Sequence, residues 1–546
     1  MSVQTNWQQY QDGLQYQQSM GFRQDFPAFE RFKEGHQWNT PTADNADFPR
    51  PVFNIVEMFI KAKRASVTNQ SIAIHYSPAM ALAGGTQAAA LAAKGAADYT
   101  DFARILWSSA AQDELNDDFI DDAATLGTGI LHYYWSNDVT TASRRTGGDI
   151  RGDVVDPLNV FFGNPQCKDV QKQPYVIITS RERVQDVRAV AKRYGVGSGR
   201  CSQILPDADY ELYDAAKENT PHADGEKVTV LTRYFRKDGQ VYFEKTTKNA
   251  QVVPPTPLTP KTAKAPITLY PLVVLNWRKR KRCIYGIGEA QDLITINKAY
   301  NLIKAYSLYS VQQLGSPKII RRAGAIQEPI TNEPGQILTD RTSDGNGIKY
   351  LNPPAFGSFA GSLANEVFEM ARTVTGVTGV STGESIAGNM AASAIIALQN
   401  QAKTPIKEIS RRYFRAMEQV GRIWEQFFKT YYALPRAITV TDADGVAKTR
   451  AFVGTRYADV DFKLAVDVGT SSEYGEELAI ATLDRFYDKG EITLEQYLQL
   501  APRNVVPFKE QLKKMLEAAA KSATAQNAAM AAVQAPQGGA VGVPPA

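Results

Sequence analysis

The sequence is poor in the residues on which metal and redox chemistry depend. Only three cysteines occur in 546 residues, Cys167, Cys201 and Cys283, and no two form a C-x-x-C pair. That spacing offers no disulfide framework and fits a reducing compartment. The four histidines, His36, His75, His132 and His222, are dispersed, so neither H-E-x-x-H nor a Cys/His metal cluster can be written. No G-x-x-x-x-G-K-[ST] phosphate loop is present. No run of 18 apolar residues exists, which excludes a transmembrane helix. The N-terminal MSVQTNWQQYQDGLQYQQ is polar and lacks a signal-peptide core, so the expected place of synthesis is the cytoplasm. Charge of one sign is also lacking: 61 Lys and Arg face 57 Asp and Glu, a net +4. Coating nucleic acid through global charge is therefore excluded, while local basic patches are not.

What is there is an ordinary globular balance, long enough for several domains and a sizeable core. Residues 1–45 read as polar with scattered aromatics. Pro49 and Pro51 punctuate the start of a helix carrying Ile55, Met58, Phe59 and Ala62 at helical spacing. Phe102, Ile105 and Leu106, then Leu115, Phe119 and Ala123, predict a helical hairpin after an Ala-rich stretch. The Gly127–Gly129 pair should turn the chain into a strand over 130–135. Residues 150–260 read as β-rich, with a hairpin around Asp238-Gly239 and a helix ended by Gly195. Residues 251–266, rich in Pro, Thr and Lys, read as a loop.

Residues 289–314 read as one helix of about 38 Å. Residues 316–357 are β-like, and 361–375 are helical, with Leu363, Val367, Met370, Ala371 and Val374 in phase. A long helix is expected over about 391–432, kinked at Pro405. A hairpin around Asp444-Gly445 and short helices over 475–518 follow. The Ala-rich tail is low in complexity and is expected to be disordered. The expected fold class is α+β, without internal repeats.

Three motifs invite chemistry. Gly379-Val-Ser-Thr-Gly383 spells the hydrolase elbow G-x-S-x-G, but the segment before Ser381 is helical in pattern. No histidine follows Ser381, so a Ser…Asp…His order cannot be completed. A soft Gly/Ser/Thr loop is the better reading, and no catalytic residue is expected. The carboxylates of Asp113–Asp122 read as a solvated helix face, since their spacing is not that of a calcium loop, and no metal or other cofactor is expected. Five consecutive cations, Arg278, Lys279, Arg280, Lys281 and Arg282, follow Trp277. They read as a solvated or subunit-contacting run. The alternative is a monomeric nucleic-acid-binding protein that neutralises phosphates through Arg278–Arg282 and stacks Trp277 on a base. Arg321 and Arg322 in KIIRRAG pose the same choice more weakly.

Taken in order, these pieces resemble the portal, or head-to-tail connector, proteins of tailed double-stranded DNA bacteriophages, of the short-tailed type. The likeness rests on FERFKEGHQW (29–38), RPVFNIVEMFIKAKRASVTNQ (50–70), DAATLGTGILHYYW, VVDPLNVFFGNP and QKQPYVIITSRERVQDVRAVA, then on the order of helix, β segment, helix, loop and long helix. It spans roughly 25–520. It implies a portal fold ringed around a central channel, usually of twelve copies, with no enzymatic activity. The implied parts are a wing over 1–288, a stem helix over 289–315 and a clip over 316–360. A second stem helix over 361–378 leads to a tunnel loop over 379–392. A long kinked helix and wing return span 393–470, a crown 471–520, and a disordered tail 521–546. In the loop, Ser381, Thr382, Gly383, Glu384, Ser385, Gly388 and Asn389 would face DNA. Lys318, Arg321 and Arg322 are candidate clip-docking residues, and Arg278–Arg282 candidate contacts to DNA or capsid. The implied partners are further copies of the chain, double-stranded DNA, the terminase motor, the major capsid protein and tail or adaptor proteins, with no membrane. The implied location is the capsid vertex of the virion, after assembly in host cytoplasm.

Overall fold

The computed structural model describes residues 3–43, 46–68, 72–79, 86–137, 147–207, 227–315, 318–326, 328–331, 337–351, 359–377, 404–441, 447–468, 480, 483–500, 512 and 515. The polar N-terminus folds into two helices, α1 (Val3–Ser19) and α2 (Phe22–Lys33). Tyr10 and Leu14 of α1, and Phe22 and Phe26 of α2, recur at helical spacing and are buried. The Gln-rich composition of α1 hides that period from a reading by apolar density.

Helix α3 (Ile55–Thr68) is capped by Asn54, whose Oδ1 accepts from the Glu57 N–H at 3.2 Å. Strand β1 (Ile72–Pro78) precedes the expected hairpin, α4 (Thr86–Ser109) and α5 (Gln112–Leu126). Helix α5 ends on Gly127 at φ 100°, and a Cβ there would come within 2.7 Å of the Gly286–Gly288 backbone. Only glycine combines that left-handed conformation with so close an approach.

Strands β2 (Thr128–Ser136) and β3 (Asp149–Val154) follow. A five-stranded antiparallel meander then runs β4 (Val160–Phe162), β5 (Tyr175–Arg183), β6 (Lys227–Lys237), β7 (Gln240–Thr246) and β8 (Gln251–Pro257). Helices α6 (Val184–Arg193) and α7 (Ser198–Cys201) interrupt it after β5. Asp238 and Gly239, at φ 51° and 75°, make the tight β6–β7 turn that the sequence foretells. Residues 251–257 depart from expectation, because they are strand and not loop. Pro254, Pro255 and Pro257 are tolerated because β8 pairs only with β7 and its register is irregular. Strand β9 (Leu272–Asn276) returns to pair with β2, giving the order β3-β2-β9.

Beyond β9 lie α8 (Ala290–Gly315), a small hairpin of β10 (Lys318–Arg321) and β11 (Ile348–Leu351), and α9 (Phe359–Thr375). Helix α10 spans Thr404–Tyr431. Pro405 occupies its first turn, so the kink expected there falls at the edge of the described residues. Met417, Val420, Trp424 and Phe428 of α10 join one large core with Phe59, Phe102, Phe119 and Tyr133. Burying each such side chain contributes about 1.5–3 kcal/mol. Strands β12 (Arg436–Thr441) and β13 (Ala447–Phe452) form a hairpin, and β14 (Phe462–Val468) pairs with β1. A short α11 (Leu494–Leu500) follows. The β1–β14 ladder joins residues 72–78 to residues 462–468.

Candidate channel and docking surfaces

Helix α8 is about 39 Å long and differs between its two ends. Its first half is locked by amides. Asn297 Oδ1 accepts from Ile55 N at 2.9 Å and Val56 N at 3.1 Å, capping α3 from another helix. Asn297 Nδ2 donates to the Phe53 carbonyl at 2.9 Å and to Gln37 Oε1 at 3.1 Å. Asn301 Oδ1 accepts from Phe53 N at 3.1 Å, and its Nδ2 donates to Gln37 Oε1 at 2.5 Å. Gln37 Nε2 completes the set on the Phe32 carbonyl and Asn54 Oδ1, each at 3.1 Å. These amides are buried and satisfied, which makes the contact specific as well as stable. Gln37 and Asn54 belong to motifs that carry the sequence resemblance. Asn297 and Asn301 carry no local signal.

A buried ion pair adds to the anchor. Lys63 Nζ lies 2.6 Å from Glu289 Oε1, which also accepts from Trp277 Nε1 at 2.8 Å. Trp277 is fully buried, so the alternative in which it stacks on a base does not fit. Its neighbours in the basic run divide. Arg278 pairs with Asp292 at 2.8 Å and donates to the Gly288 carbonyl. Arg280 covers the Phe22 ring at 5.3 Å. Lys279, Lys281 and Arg282 remain exposed.

The second half of α8 is largely bare. From Leu302 onward, Tyr306, Leu308, Val311 and Leu314 are exposed, Val311 at 65%, and the cover they have includes the Phe48 ring, 5.2 Å from that of Tyr306 and 5.7 Å from that of Tyr309. Ala305 is buried, α8 packs against α9, and Ala364, Ala371 and Thr375 are the buried positions of α9. Met370 and Val374 of α9, read as part of an in-phase apolar face, are exposed instead. At the tip, Ile319 and Ile320 of β10 are exposed beside Arg321. Lys318 pairs by its backbone with Leu351. Arg322 lies 3.4 Å from Asp344, while Arg321 has no carboxylate partner among the described residues. Asp340 accepts from Thr342 and from the Gly347 N–H, contacts that hold its carboxyl below the usual range.

Ser381, Thr382, Gly383, Glu384, Ser385, Gly388 and Asn389 lie outside the described residues, as does the rest of the quoted G-x-S-x-G loop. His132 is half-buried in a cleft of about 960 Å³, where it contacts Tyr234 Oη at 2.8 Å, and loss of solvent pushes its pKa down to about 3. The acidic stretch of α5 is more than a solvated face. Asp121 bridges Lys33 and Arg64 at 2.5 Å each, and burial raises Asp122 well above the usual carboxylate range. Among the described residues no group of three or more His, Cys, Asp or Glu is arranged to hold a metal, and no helix is long and apolar enough to cross a membrane.

No curated protein matches the chain. The family profile described as phage P22-like portal protein matches residues 258–540, from the end of β8 through the whole of α8, α9 and α10. That span is more than half of the 546 residues and contains both the anchored and the bare parts of α8. Portal proteins are structural, non-enzymatic components of the virion at the junction of head and tail. By the extent of this match, and by the order of elements within it, the chain belongs to the P22-like family of phage portal proteins.

Proposed function

We propose that copies of this chain close into a ring, expected to be a dodecamer, at one vertex of the capsid. Double-stranded DNA passes through its channel during packaging and ejection. The observation that carries this reading is the bare half of α8 with Met370 and Val374 of α9. A lone soluble chain does not leave so long an apolar stripe to water, whereas neighbouring copies around a closed ring would cover it. The anchored half fixes the angle at which that stripe is presented.

In this reading α8 and α9 are the stem, and the β10–β11 hairpin is the clip. The clip docks the terminase motor during filling and tail or adaptor proteins afterwards. The chain itself has no catalytic role, and ATP hydrolysis belongs to the motor. The body built on β1 and β14 is the wing, against the major capsid protein. The loop over 379–392 lines the tunnel. Its short, nearly neutral side chains suit a polyanion that must slide, because strong phosphate neutralisation would hold it in place. Assembly precedes encapsidation in the host cytoplasm. Trp277 and Arg278 weigh against the monomeric nucleic-acid binder, since both are committed inside the chain.

Negative-stain images of the purified chain and of virions test the ring. Annular particles are expected, and material that stays monomeric at every concentration and is absent from the virion vertex overturns it. Deleting residues 380–390 should leave the annulus intact and stop DNA packaging. Collapse of the annulus would show that the loop holds the ring together instead.

A further inference from the structure

Two basic stretches that are far apart in sequence meet at one cavity. Helix α10 carries Lys407, Arg411, Arg412 and Arg415 in its first half, against Glu408 alone. The run at 278–282 supplies Lys279. A cavity of about 330 Å³ lies between them, with Lys168, Lys279, Arg412 and Arg415 in its lining. Val170, Leu275 and Ala416 are buried residues of the same lining.

The four cations are not all committed elsewhere. Arg412 is fixed, donating to the Trp277 carbonyl and to Glu408. Lys168, Lys279 and Arg415 are exposed and have no carboxylate partner among the described residues. One carboxylate, Asp169, shares the cavity, but its Oδ1 accepts from the Gln171 N–H at 2.9 Å and its Oδ2 lies 3.9 Å from Lys172. A concave site with four cations, Arg412 held rigidly and paired with Glu408 and the other three without a carboxylate partner among the described residues, and a single engaged carboxylate in its lining is suited to a compact anion. Guanidinium groups on one rim favour a phosphate, whose oxygens accept paired N–H donors.

We infer that Lys168, Lys279, Arg412 and Arg415 form a phosphate-binding site within one chain. Its ligand is a phosphate group, supplied by a nucleic-acid backbone or as the free anion. The site goes beyond the channel reading, because all four cations come from a single chain and none from the loop over 379–392. It also gives the basic run a role that survives the burial of Trp277.

The test compares the full chain with its Lys279→Ala/Arg415→Ala and Arg415→Lys variants. Both substituted side chains are exposed, so unchanged thermal midpoints without ligand are expected. In one arm, binding of a 30-base-pair duplex is followed by anisotropy from 50 to 300 mM salt. The double variant should give a log K against log salt slope shallower by about one, the share of one neutralised phosphate, and Arg415→Lys should keep the slope. In the other arm, inorganic phosphate is titrated at constant ionic strength. A saturable rise in thermal midpoint is expected for the wild type and none for the double variant. An effect in the duplex arm alone assigns the phosphate to nucleic acid, and an effect in the free-phosphate arm alone assigns it to the free anion. Identical behaviour of all three proteins in both arms overturns the site. Negative-stain images of the same samples report the ring separately. Rings with unchanged slopes refute the site and leave the channel reading, while a ringless chain with a shallower slope in the variant does the opposite.

Discussion

The two halves of α8 obey opposite rules. The first half is covered by its own chain on two kinds of contact: Ala290 and Leu293 are buried in the core, and Asn297 and Asn301 find every partner inside the chain. The second half carries large apolar side chains, and it is the part left to solvent. In a self-sufficient domain the large apolar side chains of the second half would be inside as well. The difference separates two tasks, since amides with specific partners set a direction, whereas an apolar stripe accepts whatever complementary surface arrives. A part that must be aimed by its own chain and covered by another has reason to be built this way.

The largest effect should come from breaking the anchored half. Glu289→Ala leaves the Lys63 ammonium buried without its carboxylate and the Trp277 N–H without an acceptor. A loss of about 3–5 kcal/mol in urea unfolding is expected, as for other buried pairs deprived of one member. A loss below about 1 kcal/mol would show that the anchor lies elsewhere. The double change Lys63→Met/Glu289→Met should recover much of the stability, because no uncompensated charge remains.

Breaking the bare half should leave the single chain nearly untouched. Val311→Asp with Met370→Asp alters side chains that are 65% and 54% exposed. The change in stability of the isolated chain should stay within about 0.5 kcal/mol per substitution. Ring formation, scored by sedimentation and by images, should be lost. A ring that assembles normally would show that these side chains face solvent in the assembly too.

Legibility in the sequence followed the range of the contacts involved. The β6–β7 hairpin was readable because Asp238-Gly239 sets its turn within two residues. The α4–α5 hairpin was readable because its period is local. Strand β8 was misread because proline signals a loop, and only the sheet order shows that its strand is an edge. Helix α1 was missed because glutamines dilute its apolar period, and α2 because Pro27 inside it reads as a break. The role of Asn297 could not be read, since its acceptors and donors lie more than 240 positions away. Base stacking by Trp277 stayed open as an alternative for a different reason: its basic neighbours are visible in sequence, whereas its acceptor Glu289, 12 positions on, carries no local signal. The family was legible because the order of elements survives such local errors. The bare stripe was not, because periodicity marks an apolar face without saying which chain will cover it.

At the tip of the bare half the effect should be narrower. Arg321→Glu with Arg322→Glu reverses two exposed charges, one of them paired with Asp344 only at 3.4 Å in solvent. Such exposed pairs contribute about 0–1 kcal/mol, so folding and ring formation should persist. Docking of the packaging motor or of tail proteins, measured by co-sedimentation, should weaken. Unchanged docking would remove these arginines from the contact.

The last effect is one of pH and belongs to a carboxyl on α2. Burial raises the Glu30 carboxyl to about 7, with Asp156, Glu34 and Asp121 adding to the shift and Lys33 opposing it. The folded chain therefore holds a proton there that the unfolded chain releases near 4.5. Between these values folding takes up a proton, so stability from this group is complete below about pH 4.5 and falls as pH rises towards 7. Glu30→Gln should stabilise the chain at pH 8 relative to wild type, and the gap should close on acidification to pH 4. A gap that is constant with pH would mean that Glu30 is ionised in the folded chain throughout, and that the carboxylates around α2 and α5 are tolerated without a shared proton.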